Sequence, residues 1–507
     1  MTIPTPDSHS QRPFHLGRCG DLCLLRRAFE AAGLDEEAIA HTLLADRSGK
    51  VLDIAAALRR TAEPTPIHTL LRLFVLARHV PEATARAALA PADLDALAAG
   101  GLLRREAEGI RAEASLMPEG DLLIARDFWP DFTGRPMRGD YVLGIGLATR
   151  TTAALTVRRP VAAALDLGTG GGYLALLAAR HAERVVATDI SARALAFAEV
   201  SAALNGLTNL DLRQGSLYEP AAGETFDLLI SNPPFVISPE SRYDYRDGGL
   251  PGDALAEQVV RGAPAHLRDG GYATVLLEWH HDPAGDWAER PRKWVAGTGC
   301  DAWILRWETQ DPVAYAAQWL RPETAGSPEE HAQQLDDWLA YYKRLGIRGI
   351  CSGAVLLRRR PAGSNWVHAE ERPQGEAAGS CGEQIERIFA ARTLLHGLGS
   401  DLELLDRAYR LTPDHQLEHG LGVEGGHWAL RAAHLTQLRG LPYVGNVDQH
   451  VATLLAGCDG QRPLRALVAD LARTLHADPD KVAASAAAVF RKLLETGFFT
   501  VSDPPGV

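Results

Sequence analysis

Cysteine is scarce. Six occur in 507 residues, at positions 19, 23, 300, 351, 381 and 458, too few and too scattered for a disulfide framework. Cys19 and Cys23 are four apart, but no second Cys/His pair stands nearby to complete a zinc site, so no metal is expected. Long apolar runs are missing too. No uninterrupted stretch reaches the ~20 residues that span a bilayer, and no membrane association is expected. Met1–Arg12 is polar and contains proline rather than a basic stretch followed by an apolar core, so no secretory signal and a cytoplasmic location are expected. Positive charge is also in deficit: 52 Lys and Arg stand against 64 Asp and Glu, a formal net charge of -12. That balance argues against a tight, non-specific grip on nucleic acid, while leaving room for a local basic patch.

What is present suits ordinary globular cores. Hydrophobic residues make up 46% of the chain and charged residues 23%, and the length implies two to four domains. Residues 1–125 read as mostly helical, with helices closing near Gly33, over Thr69–Val80 and over Pro91–Leu97. The turn Gly100-Gly101 and the short alternating stretches Ile110–Leu116 and Asp121–Ile124 follow, in the manner of a winged helix. Through Ile110 the charges nearly cancel, 13 basic against 14 acidic, which fits protein contact or scaffolding at least as well as a phosphate backbone. Residues 361–380, rich in Pro, Gly, Ser and Glu, read as a linker. Residues 381–507 read as a second helical, winged-helix-like domain, with Cys381–Arg410 and Leu430–Leu438 as helices. Acids outnumber bases there by 18 to 13 after Arg360.

Between these flanks, residues 126–360 change character. Short apolar runs alternate with Ala/Leu-rich helical stretches, the habit of an α/β fold whose parallel strands are buried on both faces. The expected strands are Val161–Leu167, Arg184–Thr188, Asn209–Arg213, Phe226–Ser231, Tyr272–Glu278, Ala302–Trp307 and Ile350–Leu357. Helices are expected over 172–181, 191–204, 253–267 and about 312–345. The basic triplet Arg358-Arg359-Arg360 reads as a solvated strand end.

The first of these strands runs into Asp166-Leu167-Gly168-Thr169-Gly170-Gly171-Gly172. Closely spaced glycines let backbone turn sharply and approach a ligand. Eighteen residues past Gly171 the next strand ends at Asp189-Ile190, where a carboxylate can accept both hydrogens of a ribose diol. A nicotinamide dinucleotide is the competing ligand. Its pyrophosphate, however, would be repelled by Asp166, whereas the ammonium and sulfonium of S-adenosylmethionine would not. Residues 161–235 resemble the core of class I S-adenosylmethionine-dependent methyltransferases. By that resemblance Asp166, Gly168, Thr169 and Gly170 form the first cofactor motif, and Asp189 with Ile190 holds the ribose. Ser216 and Leu217 meet the adenine, with Ser216 standing where many relatives carry Asp. Gly144–Thr152 resembles the segment that closes over the methionine end, with Thr152 as its contact. The resemblance further implies a Rossmann-like sheet of seven strands in the order 3-2-1-4-5-7-6, the last antiparallel, with about 40 residues inserted before the final strand.

Asp227–Phe235 carries the chemistry. The strand delivers Asn232 to the carboxyl edge of the sheet, and Pro233 and Pro234 stiffen the turn while leaving their carbonyls free. The Asn232 side-chain carbonyl and the Pro233 backbone carbonyl can each accept an N–H of a planar, weakly nucleophilic amine, on which Phe235 can stack. Transfer then needs alignment rather than a strong base or a metal. Asn-Pro-Pro-Phe resembles the signature of HemK/N6-adenine-type methyltransferases, and the chain is also similar to small-domain ribosomal RNA guanine methyltransferases. In the loop that follows, Arg242, Tyr243, Tyr245 and Arg246 are candidate substrate contacts, opposed by a plain surface-loop reading. His280 and His281 end a strand near the same edge and are expected to hydrogen-bond locally. Three functions stay open: methylation of an exocyclic base amine of RNA, methylation of a glutamine amide in a protein, and a non-catalytic winged-helix interaction protein. The expected partner is a macromolecule, RNA or protein.

Overall fold

Val161–Leu167 has no polar alternation until its end, so its strand is stable only with both faces covered. The structure, a computed structural model, buries it from Ala163 to Leu167. It describes residues 12–44, 51, 53–320, 327–372 and 377–501. Over these, the chain divides into two compact units. The first lies within Met1–Thr152, Pro160–Trp294 and Thr309–Val355, the second within Ala153–Arg159, Val295–Glu308 and Leu356–Val507.

In the first unit, Leu103–Glu106 (β1) and Gly109–Ala112 (β2) form one antiparallel hairpin, and Ser115–Glu119 (β3) and Leu122–Arg126 (β4) a second. The central sheet is built from Val161–Leu167 (β5), Ala182–Asp189 (β6), Leu210–Gln214 (β7), Phe226–Ser231 (β8) and Leu267–His281 (β9). All four pairings among these strands are parallel, in the order β7-β6-β5-β8-β9. The registers Leu167↔Thr188 and Leu167↔Ser231 bring the carboxyl ends of β5, β6 and β8 level, and ligands of open α/β sheets bind beyond that edge. The expected strands are all present, several of them longer than their apolar runs. The expected helix at 312–345 is divided into Pro312–Trp319 and Pro328–Leu345, with residues 321–326 outside the described set.

The N-terminal helices Leu22–Ala31, Glu36–Leu43, Ile54–Arg60, Pro66–Phe74, Glu82–Leu89 and Leu94–Ala99 precede the hairpins. Val80 pairs with Ile110 through two backbone hydrogen bonds, adding a bridge to the first hairpin. These helices share a core with Ala192–Leu204 of the sheet layer: Phe14, Leu25, Phe29, Phe197, Val200 and Leu204 are buried together. The rings of Phe14 and Phe197 meet edge-on at 5.0 Å. Packing therefore does not stop at the expected boundary near residue 125.

In the second unit, Cys300–Gln310 (β10) pairs in parallel with Val367–Glu371 (β12), while Gly349–Arg359 (β11) begins in the first unit and ends in the second. The strand β12 lies in the stretch expected to be a linker. Its Val367-His368-Ala369 alternation was masked by the prolines and glycines on either side. The triplet ending β11 is not merely solvated: Arg358 and Arg360 both donate to the buried Asp301, at 2.7 Å and 2.9 Å. A helix spans Gly382–Gly397. Ala408–Leu411 (β13), Asp459–Pro463 (β17) and Phe499–Val501 (β18) form a small antiparallel sheet. His415–Glu424 (β14), His427–Gln437 (β15) and Val444–Asn446 (β16) form another. The expected helix at Leu430–Leu438 is thus corrected to a strand. Gly425 and Gly426 adopt φ of 56° and 84°, a turn that only glycine makes without strain, and it closes a hairpin around an Ala/Leu-rich stretch of high helix propensity.

Because Phe197 is fully buried between the N-terminal helices and the sheet layer, Phe197→Ala is expected to cost about 3–5 kcal/mol. Urea denaturation followed by tryptophan fluorescence should show the midpoint falling for the first unit.

Candidate functional site

Two strand ends and one glycine turn build the first half of the site. Gly168, Gly170 and Gly172 have φ of 77°, 54° and 90°, so the turn after β5 is closed to residues with a Cβ. It is tied to the end of β6. The N–H groups of Gly168 and Thr169 donate to Thr188 O at 2.9 Å, and the Gly170 N–H donates to Asp189 Oδ2 at 2.9 Å. The other Asp189 oxygen accepts the Ser191 N–H at 2.9 Å. Asp189 therefore shapes the glycine turn as well as standing at the strand tip, while Ile190 beside it is 40% exposed.

Asp166 is fully buried. Its Oδ2 accepts from Thr169 Oγ1 at 2.6 Å, and its Oδ1 has no hydrogen-bond partner among the described residues. Burial pushes its pKa up to about 7, against the opposing pull of the Thr169 hydroxyl and the Ala175 backbone N–H. A buried carboxylate with one vacant oxygen, over a turn of bare glycine backbone, suits a ligand that carries positive charge. Gly215 donates to Asp189 O at 3.0 Å, which sets Ser216 and Leu217 directly after the tip of β7. Leu217 adopts φ 47°, an uncommon conformation for a branched residue.

The second half is the Asn232–Phe235 turn. Asn232 Nδ2 donates to Thr149 Oγ1 at 3.2 Å, and Asn232 Oδ1 is buried with no partner among the described residues. The vacant carbonyl is a ready acceptor. Thr149 lies on Leu147–Leu155, in the segment expected to close over the cofactor. The residue singled out there, Thr152, is fully buried and donates to Ala148 O at 2.9 Å instead. Thr149 and Thr152 are only about 60° apart on the helical wheel, and it is the less buried Thr149 that reaches Asn232. Phe235 meets Trp319 edge-on at 6.4 Å, so helix Pro312–Trp319 walls the acceptor side. That helix is anchored from beneath, where Tyr315 OH donates to buried Glu278 of β9 and accepts the Ile237 N–H at 3.0 Å.

The loop after the turn separates its four candidates. Arg246 is 8% exposed and engaged with Asp247 at 2.7 Å and Glu240 at 3.0 Å. Asp247 in turn accepts the N–H groups of Arg242 and Tyr243 at 3.0 Å. Arg246 is therefore an internal brace, and its expected substrate contact is corrected. An arginine beside an aspartate in sequence does not reveal that the pair is buried. Arg242 is exposed, with its guanidinium 5.1 Å from the Tyr243 ring. The rings of Tyr243 and Tyr245 meet at a tilt, 5.7 Å apart. His280 and His281 line a separate cavity of about 370 Å³ with Arg261, Asp282, Glu289 and Arg290. There the His280 N–H donates to Asp253 Oδ2 at 3.2 Å.

Residues 150–282 match the family model described as Methyltransferase small domain. Residues 52–113 and 386–501 match two families described as domains of unknown function, DUF7059 and DUF7782. Among curated proteins the chain is similar to a release factor glutamine methyltransferase of Xylella fastidiosa, 39% identical over 132 residues, covering 24% of this chain and 48% of that protein. It is similar to the release factor glutamine methyltransferase of Cereibacter sphaeroides, 38% identical and covering 33% and 64%. It also resembles a ribosomal protein uL3 glutamine methyltransferase of Bradyrhizobium diazoefficiens, 40% identical and covering 21% and 38%. The chain thus spans less than two thirds of each of these relatives. Residues 150–282 are a class I S-adenosylmethionine-dependent methyltransferase domain. Within that class the domain is of the HemK type, related to the small ribosomal RNA methyltransferases.

The raised pKa of Asp166 makes stability depend on pH. Unfolded Asp titrates near ~3.9, so between there and about 7 the folded chain holds a proton that the unfolded chain has released. Stability must fall as pH rises through that window and stay low above it. Asp166→Asn removes this contribution. Unfolding free energies from urea titrations of the ligand-free protein from pH 4 to 8 should converge at low pH, with the variant ahead by a few kcal/mol above pH 7.

Proposed function

We propose that the chain is a protein N-methyltransferase whose acceptor is a glutamine side-chain amide. The observation that carries this reading is the buried, vacant Oδ1 of Asn232 at the end of β8, one residue before a rigid Pro-Pro turn. Bound S-adenosylmethionine supplies an electrophilic methyl group on a sulfonium. Asp166, the glycine turn of 168–172, Asp189 and the Ser216-Leu217 backbone hold it at the carboxyl edge of the sheet. Asn232 Oδ1 and the Pro233 carbonyl each accept one N–H of the acceptor amide, turning the nitrogen lone pair toward the methyl group. Phe235, backed by Trp319, covers the planar face. Since both amide hydrogens are held by neutral carbonyls, the chain needs only to orient the nitrogen, and the departing proton passes to water.

An RNA base amine presents the same planar NH2, and the site chemistry alone admits it. The amide is preferred because the relatives reported above are glutamine methyltransferases and because the chain carries a net charge of -12, which repels a polyanion. The last three of the six N-terminal helices, with the Val80–Ile110 bridge and the first hairpin, follow one another in an order similar to that of a winged helix. The C-terminal elements repeat part of that order. Both flanks are assigned to docking the protein that carries the acceptor.

The test is transfer of tritiated methyl from S-adenosylmethionine to an extract lacking this protein. Label should survive ribonuclease, disappear with protease, and be recovered as N5-methylglutamine by mass spectrometry. Asn232→Ala should lower transfer at least ~100-fold while leaving S-adenosylhomocysteine binding within a few-fold. Ribonuclease-sensitive label would replace the amide with a base amine as the acceptor.

A further inference from the structure

Arg126 ends β4 at 6% exposure. Its Nε has no hydrogen-bond partner, and among the described residues no carboxylate pairs with its guanidinium. The closest acid in influence, Glu119, is taken by Arg150 in a two-pronged pair at 2.7 and 2.6 Å. Burial lowers the Arg126 pKa, which marks the guanidinium as poorly solvated. Its Cζ lies 5.3 Å from the ring centre of Trp129, and the indole Nε1 of Trp129 is also buried without a partner among the described residues. Two orphaned donors thus stand side by side. A cation–π contact does not replace the hydration lost by a buried guanidinium, so an anion is the missing component.

The position of this pair identifies the anion. The preceding residue, Ala125, puts its carbonyl 3.0 Å from where a Cβ on Gly171 would stand, so the end of β4 lies on the glycine turn. On the other side, a Cβ on Gly144 would overlap Arg126 Nη1, and Gly144 begins the run into the helix whose Thr149 bonds Asn232. Asp127 fixes this arrangement by exchanging hydrogen bonds with Val142 and pairing with Arg193. The donors therefore lie between the glycine turn and the segment leading to the acceptor asparagine.

Resting on the cofactor reading above, we propose that Arg126 and Trp129 form the subsite for the carboxylate of the methionine moiety of S-adenosylmethionine. The Arg126 guanidinium pairs with the carboxylate and the Trp129 indole N–H donates to it.

Calorimetric titration of the full chain with S-adenosylhomocysteine and with its decarboxylated counterpart tests this directly. The wild type should prefer the carboxylate form by about 100-fold, the size expected for a buried charge pair. Arg126→Met should lose that preference, weakening for S-adenosylhomocysteine alone, and Arg126→Lys should recover part of it. Trp129→Phe should weaken the same ligand by roughly 5- to 10-fold. Without ligand, Arg126→Met should melt no lower than the wild type, because it removes a buried unpaired charge. The proposal is overturned if Arg126→Met weakens both ligands equally, which would mark a structural role, or if it weakens neither. Wild-type protein that binds neither ligand would overturn the cofactor reading itself.

Discussion

A sheet edge where β5, β6 and β8 end level is stable here only because the turn after β5 is glycine with positive φ, held by Asp189. The carboxylate accepts from Gly170 on one oxygen and from Ser191 on the other, so one side chain fixes both the glycine turn and the start of helix Ala192–Leu204. That helix is also the platform for the N-terminal bundle, through Phe197 and Val200. The cofactor turn, the sheet and the bundle therefore share one mechanical element. Each depends on an acid that would otherwise repel its own neighbour, Asp166, through the protein interior. The arrangement tolerates this because Asp166 can hold a proton when nothing positive is bound.

The acceptor side is built on a different principle. Asn232 is positioned by a buried strand and a proline turn, but the wall facing it comes from Pro312–Trp319, part of the insertion before the last strand. Tyr315 ties that wall to Glu278 of β9 and to the backbone of Ile237, while Tyr342 donates to Ile237 O at 2.9 Å. Two of these hydrogen bonds connect the insertion to Ile237, just after Phe235, and the third to β9. The insertion is thereby held against the Asn232–Phe235 turn.

How much of this was legible from residues follows from where the physical signal lies. Parallel strands buried on both faces write themselves as continuous apolar runs, so Val161–Leu167 and Phe226–Ser231 are found where they were expected. Glycine spacing and the Asn-Pro-Pro-Phe turn are equally local. The hairpin of β14 and β15 was hidden because Ala and Leu favour helix, and a two-glycine turn outweighs them only once its strands pair. Thr149 and Arg246 show the other limit. Which threonine of a helix face meets a neighbouring side chain, and whether an arginine is already claimed by its neighbour, are decided by packing. The signal that could have found Arg126 is weak in sequence, a lone arginine ending a short apolar strand. It becomes visible only when burial shows that nothing answers its charge.

Four of the buried polar atoms without partners among the described residues lie at or beside the candidate site. Asp166 Oδ1 and Asn232 Oδ1 are buried acceptors, and Arg126 Nε and Trp129 Nε1 are buried donors, all without partners among the described residues. Buried polar groups are ordinarily satisfied, and each exception destabilises the fold. A hydrophobic ligand would leave all four unsatisfied, and a simple anion or cation would satisfy only one sign. A zwitterion carrying both ammonium and carboxylate, placed beside an amide with two hydrogens, answers the acceptors and donors together. On the proposed reading, the cofactor and the acceptor amide together satisfy polar groups that the fold buries without partners among the described residues.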